Sequence, residues 1–106
     1  MKRDEIISAI QNQQMLRVSF RKETDGDWVT RTVAPYDIYK QTKSGEYFEQ
    51  DILLGYAKGD VLHRSHVVSI YLNNIQSIES VGEHFDGDEI RRLIKPKHQP
   101  NIDRNW

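Results

Sequence analysis

The chain has 106 residues, 37% of them hydrophobic and 29% charged, which bounds it to one domain with a single modest core. Fifteen Lys and Arg against sixteen Asp and Glu give a formal charge of -1, a balance that argues against non-specific coating of DNA. There is no cysteine, so disulfides, zinc–thiolate sites and thiol nucleophiles are excluded, and no apolar run approaches the roughly 18 residues of a membrane span.

The N-terminus, Met1 to Glu5, lacks the apolar run of a signal peptide, and a cytoplasmic location is the expectation. Asp4 precedes Ile6, Ile7, Ala9 and Ile10, and that spacing predicts a helix of about two to three turns with Asp4 as its cap. Such a helix is too short to stand alone in water and has to lie against a sheet. Leu16 to Arg21 alternates with period two, a strand with Leu16, Val18 and Phe20 facing inward. Thr24 to Asp27 is a turn, and Trp28 to Val33 is the return strand. Pro35 lacks a ladder donor and is expected to end regular pairing there.

Ile38 to Lys40 and Tyr47 to Gln50 flank a second turn at Thr42 to Gly45. Asp51 to Ala57 is a buried strand. Lys58 to Asp60 is a turn, and Val61 begins the next element. Val67 to Leu72 continues as strand, and Ile75, Ile78 and Val81 mark a last edge. Asp86 to Glu89 opens a second helix, with acids at its positive end. Ile90, Leu93 and Ile94 form its apolar side, and Pro96 stops it. His98 to Trp106 is polar apart from Ile102 and Trp106, and is expected to be a loose tail. Trp106 is either exposed or pinned in a groove.

No catalytic or metal-binding motif interrupts this pattern. A metal site needs several converging ligands, and in a strand His63 and His66 would face opposite sides. The acids Asp25, Asp27, Asp86, Asp88 and Glu89 sit in turn-like or helix-start sequence, where solvated carboxylates are the ordinary reading. The serines lack a nucleophile-elbow context, and the single glycines form no phosphate loop. The chain therefore reads as non-enzymatic, with no cofactor implied.

The local positive charge lies in three stretches: Arg17 with Arg21 and Lys22, His63-Arg64 with His66, and Arg91-Arg92 through Lys97. Arg31, between Thr30 and Thr32, is either a surface arginine paired with Asp37 or a planar donor fork for phosphate or carboxylate. Arg64 and His66 are its natural companions. Tyr36, Tyr39, Tyr47, Phe48, Tyr56 and Tyr71 supply aromatic surface, suited either to packing or to stacking a ligand.

Residues 6–85 resemble a WYL domain, the small Sm-like or SH3-like barrel of bacterial transcription regulators. The resemblance rests on Ile6 to Ile10, Leu16 to Phe20, Arg31 to Ile38, Ile52 to Tyr56, Ile70 to Ile78 and Phe85, taken in order. The trio that names the family aligns with Asp51-Ile52-Leu53, of which only the leucine matches. Arg31 matches the family's arginine ahead of proline, while Val68 and Asn74 stand where the closing segment carries arginines. Only about fifteen residues precede the first strand, too few for the family's winged helix.

The resemblance implies a mainly β fold: a barrel of about five strands over residues 1–95, with a short N-terminal and a C-terminal helix, then a polar tail over 96–106. It also implies a regulatory, ligand-sensing module that binds single-stranded nucleic acid or a nucleotide-like anion through Arg31, Tyr36, Tyr56, His63, Arg64 and His66. The alternative is a protein-interaction or assembly subunit, with a protein partner or homo-oligomer on open barrel edges and no small ligand.

Overall fold

A computed structural model describes residues 2–22, 24–42, 49–59, 64–94 and 100–106. Helix α1 runs over Lys2–Gln11. Asp4 therefore lies inside its first turn beside Glu5 instead of capping it, still at the end where the helix dipole favours acids. Ile6, Ala9 and Ile10 are its buried residues, the i, i+3, i+4 stripe that a helix of this length must bury. The chain leaves α1 through Gln13, whose φ of 54° is left-handed. Three contacts hold it there: Gln13 N–H donates to the Ile10 carbonyl at 3.4 Å, Phe85 N–H to the Gln13 carbonyl at 2.9 Å, and Gly87 N–H to Gln13 Oε1 at 2.8 Å.

Five strands follow: β1 (Gln14–Arg21), β2 (Trp28–Thr42), β3 (Glu49–Ala57), β4 (His66–Tyr71) and β5 (Ile75–His84). They form one antiparallel sheet in the order β4-β3-β2-β1-β5. Among the described residues no ladder joins β4 to β5, so the sheet is open and is not the closed Sm-like or SH3-like barrel expected from sequence. Period-two alternation fixes which face each strand buries, but not whether the first and last strands meet. The Ile70–Ile78 run, one segment in the family resemblance, is broken by a 3-10 turn over Leu72–Asn74. That turn carries the chain from one edge of the sheet to the other.

β2 is long enough to serve two neighbours. It pairs with β1 over Trp28 to Val33 and with β3 over Val33 to Thr42. Pro35 does not end the pairing. It sits opposite Gly55, and the register shifts between Pro35 and Asp37, leaving Tyr36 as the extra residue of a bulge. A bulge is one of the few places where a sheet tolerates proline, and it bends the strand. Gly55 allows close approach here, since a Cβ on it would stand 3.2 Å from Val33 Cβ.

Both faces of the sheet are used. Leu16, Val18, Val33, Ile38, Leu53, Ala57, Ile70 and Ile75 pack with Ile6, Ala9 and Ile10 of α1 in the main core. Met15 and Ala34, one residue out of phase, face the other side and pack with Ile90 in a second cluster. Full burial of each large aliphatic side chain contributes about 1.5–3 kcal/mol relative to exposure. Helix α2 (Gly87–Ile94) carries Asp88 and Glu89 in its first turn and Arg91 and Arg92 in its last, matching its dipole. Ile90 and Ile94 pack, but Leu93, expected on the same side, is exposed. None of the described helices is long and apolar enough to cross a membrane.

The largest departure from the sequence reading is the C-terminal segment. Over Pro100 to Trp106 the chain is docked, not loose. The buried Asp37 carboxylate accepts the backbone N–H of Asn101 at 3.0 Å, of Ile102 at 3.0 Å and of Ile38 at 2.9 Å. Ile102 enters the main core. Trp106 Nε1 donates to the Ile10 carbonyl at 2.8 Å, its ring meets Phe85 edge-on at 5.2 Å, and Arg104 lies over it at 3.8 Å. Only glycine fits beneath that ring, because a Cβ on Gly87 would come within 2.6 Å of it. A single aspartate and a terminal tryptophan thus tie both helices to the sheet. The expected turn through Lys43 to Gly45, Tyr47, Phe48, the element beginning at Val61, and Pro96 lie outside the described residues.

Candidate functional site

The residues proposed from sequence divide between the two faces of the sheet. Val18 is the register partner of Arg31, and directly opposite residues share a face. Arg31 therefore stands on the main-core side, half-buried at the end of the row. His66 pairs with Ala57, and Ala57 with Val33, so His66 shares that face with Arg31. Tyr36 and Tyr56 lie on the opposite side, packed against Met15, Ala34 and Ile90. Arg64 is exposed just before β4, with its carbonyl 2.8 Å from His66 Nδ1. His63 lies outside the described residues. The register thus puts Arg31 and His66 on one face of the sheet and the two tyrosines on the other.

Arg31 is not paired with Asp37, whose oxygens are occupied by the C-terminal segment. Its Nη1 donates to the Thr30 carbonyl at 3.1 Å, and among the described residues no carboxylate pairs with it. Tyr36 packs against the second core cluster. Burial, and then the Asp37 carboxylate, push its phenol above the ordinary value of 10.0. The folded state holds this proton more tightly than the unfolded chain. Its contribution to stability is therefore complete below about pH 10 and is lost as pH rises through the folded value. Urea titrations between about pH 9 and 11 should show that Tyr36→Phe flattens this alkaline loss.

Three of the surface clefts are formed by described residues. One, of about 430 Å³ between α1 and β5, carries Asp4, Glu5 and Glu79, a lining that repels phosphate. Another, of about 460 Å³, lies beside α2 and the C-terminal segment, where Asp86 and Asp88 offset Arg91 and Arg104. The third, of about 210 Å³, is formed by Phe20, Arg21, Lys22, Thr24, Ser69, Ile70, Tyr71 and Asn74. It alone of the three combines cations with aromatic rings and has no acid in its lining. None of the three is lined by Arg31, Tyr36, Tyr56, Arg64 or His66.

The hairpin between β1 and β2 builds the cationic wall of this cleft. Lys22 N–H donates to the Asp27 carbonyl at 2.9 Å, and Gly26 N–H to the Lys22 carbonyl at 3.0 Å. Gly26 has φ 74°, a left-handed position that suits glycine. Its missing side chain leaves room for Arg21, whose Nη2 would stand 3.2 Å from a Cβ there. Lys22 pairs with Asp25 at 3.6 Å, an exposed contact of little energetic weight. The Asp27 backbone amide keeps the Asp25 carboxyl below its ordinary range, so the turn stays charged and closed. Arg21 has no carboxylate partner among the described residues. Sequence reading noted the charge of Arg17, Arg21 and Lys22. It missed the cleft, whose other wall comes from some fifty residues further along the chain. Among the described residues no group of three or more His, Cys, Asp or Glu side chains could hold a metal ion.

No family model and no curated protein matches the chain. A solved structure does share its architecture: a segment of proteasome accessory factor B/C (PafBC) of Arthrobacter aurescens. The match has a TM-score of 0.63 at 18% identity, and covers 93% of this chain and 13% of that one. The likeness is one of fold. The chain spans about one eighth of the length of that PafBC chain.

Proposed function

We propose that the chain is a non-enzymatic regulatory module that binds a nucleotide-like anion in the cleft between the ends of β1 and β4. The carrying observation is that Arg21 and Lys22 line one concavity with the rings of Phe20 and Tyr71 and the amide of Asn74. Cations suit phosphate, and planar rings suit a base. In the WYL resemblance Asn74 stands where an arginine is expected. Arg21 and Lys22 bring positive charge to the same cleft from a different strand. The fold shared with the PafBC segment supports a regulatory role of the same broad kind. Arg31 and His66, on one face, and the exposed Arg64 extend the cationic surface outside the cleft. Tyr36 and Tyr56 have no part in binding on this reading, because they serve the second core cluster.

Calorimetric titrations with a cyclic nucleotide, a nucleoside monophosphate and labelled single-stranded DNA and RNA test this. Binding is expected at low ionic strength and should weaken with added salt. Arg21→Ala should weaken it by about 1.5–3 kcal/mol, the usual worth of a charge-assisted hydrogen bond, with the melting transition unchanged. Flat titrations of the wild-type protein at low salt would remove the proposal.

A second reading rests on the open sheet. β4 and β5 are both edges, and Val67 on β4 is exposed. Unpaired edge groups are templates for another chain. Size exclusion with light scattering distinguishes self-association from a monomer.

A further inference from the structure

We infer that the edge of β5 beside α1 takes up an extended, Lys- or Arg-rich segment of a partner protein, added to the sheet as a further strand. This rests on the open-edge reading above, and names the edge and the chemistry of its partner.

Helix α1 packs mainly over β2 and β1 and leaves the cleft of about 430 Å³ between itself and β5. The floor of that cleft is apolar: Ala9 from α1, Leu16 from β1 and Ile78 from β5. Val18 pairs with Ile78 and Leu16 with Ser80, so Leu16 and Ile78 share the main-core face on which the helix lies. Asp4 and Glu5 stand exposed on the helix wall. Among the described residues neither has a cationic partner, whereas the Glu79 carboxylate is taken by Arg17.

The sheet edge is unguarded along this cleft. Among the described residues β5 pairs with β1 alone. The register runs unbroken from Ser77 to Ser80 and shifts only on either side of that run. Edges are ordinarily blunted by lysine, proline or a bulge, and this run has none of them. A strand laid along it gains main-chain hydrogen bonds, and its side chains on the helix face enter the cleft. Lysine or arginine suits that place, since its aliphatic stem can cover Ile78 while its charged head meets Asp4 and Glu5. A second copy of β5 does not suit it, because that strand carries Glu79 and Glu83 and no Lys or Arg.

The probe is a Lys-Thr-Lys-Thr-Lys-Thr peptide, acetylated and amidated, read by amide hydrogen exchange. It should raise protection within Ser77 to Ser80 and leave β4 unchanged. Asp4→Asn with Glu5→Gln should weaken binding about fivefold, the worth of two exposed ion pairs. Asp88→Asn with Glu89→Gln, the same charge change in the first turn of α2, should not. Methylating one alternate set of the peptide's backbone nitrogens should abolish binding, and methylating the other set should not. Equal effects of the two sets would overturn strand addition, and equal binding of a Glu-Thr peptide would overturn the basic partner, while the edge stays a docking site. A dimer in light scattering, with β5 protected in the absence of peptide, would give the edge to a second copy and overturn the inference. A monomer in which no peptide protects either edge would remove the open-edge reading itself.

Discussion

Leu53→Ala should lower the unfolding free energy by about 2–5 kcal/mol, the largest loss expected from any single truncation of the β3 core face. Leu53 is completely buried in the central part of the sheet, between Ile38 on β2 and Ile70 on β4. All three belong to the main core with the α1 residues. Truncation there removes apolar area and leaves a cavity that two flanking strands and a helix cannot fill without breaking the ladder. In a urea titration the midpoint should fall with the slope unchanged. In a thermal melt each kcal/mol is worth about 4–8 °C for a domain of this size. An unchanged midpoint would show that Leu53 is not in the core. In the resemblance drawn from sequence, Leu53 is the matching leucine of the trio. It is a packing position whose side chain touches no cleft described above.

The second large effect is expected at Asp37. Asp37→Ala removes the acceptor for the backbone N–H groups of Ile38, Asn101 and Ile102, and should cost about 3 kcal/mol. Buried donors left without partners lose about 1–3 kcal/mol each, and water reaches part of this site to offset the sum. Loss of stability alone would not separate this role from ordinary packing. Hydrogen exchange does. The amides of Asn101 and Ile102 should lose protection before those of the β1–β2 ladder, because the C-terminal segment is released while the sheet persists. Equal loss at both places would mean that Asp37 supports the sheet and not the segment.

The strands could be read from the chain because alternation is local. Leu16, Val18 and Phe20 on one side and Arg17, Ser19 and Arg21 on the other follow from a period of two, and the structure places them so. Helices α1 and α2 followed from the spacing of Ile6 and Ile10 and of Ile90 and Ile94. Leu93, by contrast, falls at a similar spacing and is exposed, since periodicity cannot say how wide a stripe the neighbouring sheet covers. Pro35 departs from the sequence expectation for a related reason. The rule that proline ends pairing holds for regular ladder positions, and here the bulge at Tyr36 supplies an irregular one.

The candidate site was less legible than the fold. Arg31, Tyr36, Tyr56, Arg64 and His66 are linked in the sequence only by residue type and by the family resemblance. Whether they meet depends on register, and a shift of one residue exchanges the two faces. Arg31 and His66 fell on one face and the tyrosines on the other. The cleft that joins Arg21 and Lys22 to Tyr71 and Asn74 has no local signature at all. Its halves are brought together by the order of strands and by the 3-10 turn at Leu72–Asn74.

Local periodicity and side-chain chemistry alone were enough to determine the element types, the inward residues of β1 and the absence of any cysteine-based chemistry. The open edge-to-edge order of the sheet, the docking of Ile102 and Trp106, and the convergence of the cationic cleft were decided by tertiary structure. Alternation is dictated by neighbours one and two residues away, whereas these contacts join residues tens of positions apart. Asp37 and Asn101 illustrate the difference: 64 residues separate them in the chain, and only the folded sheet makes them partners.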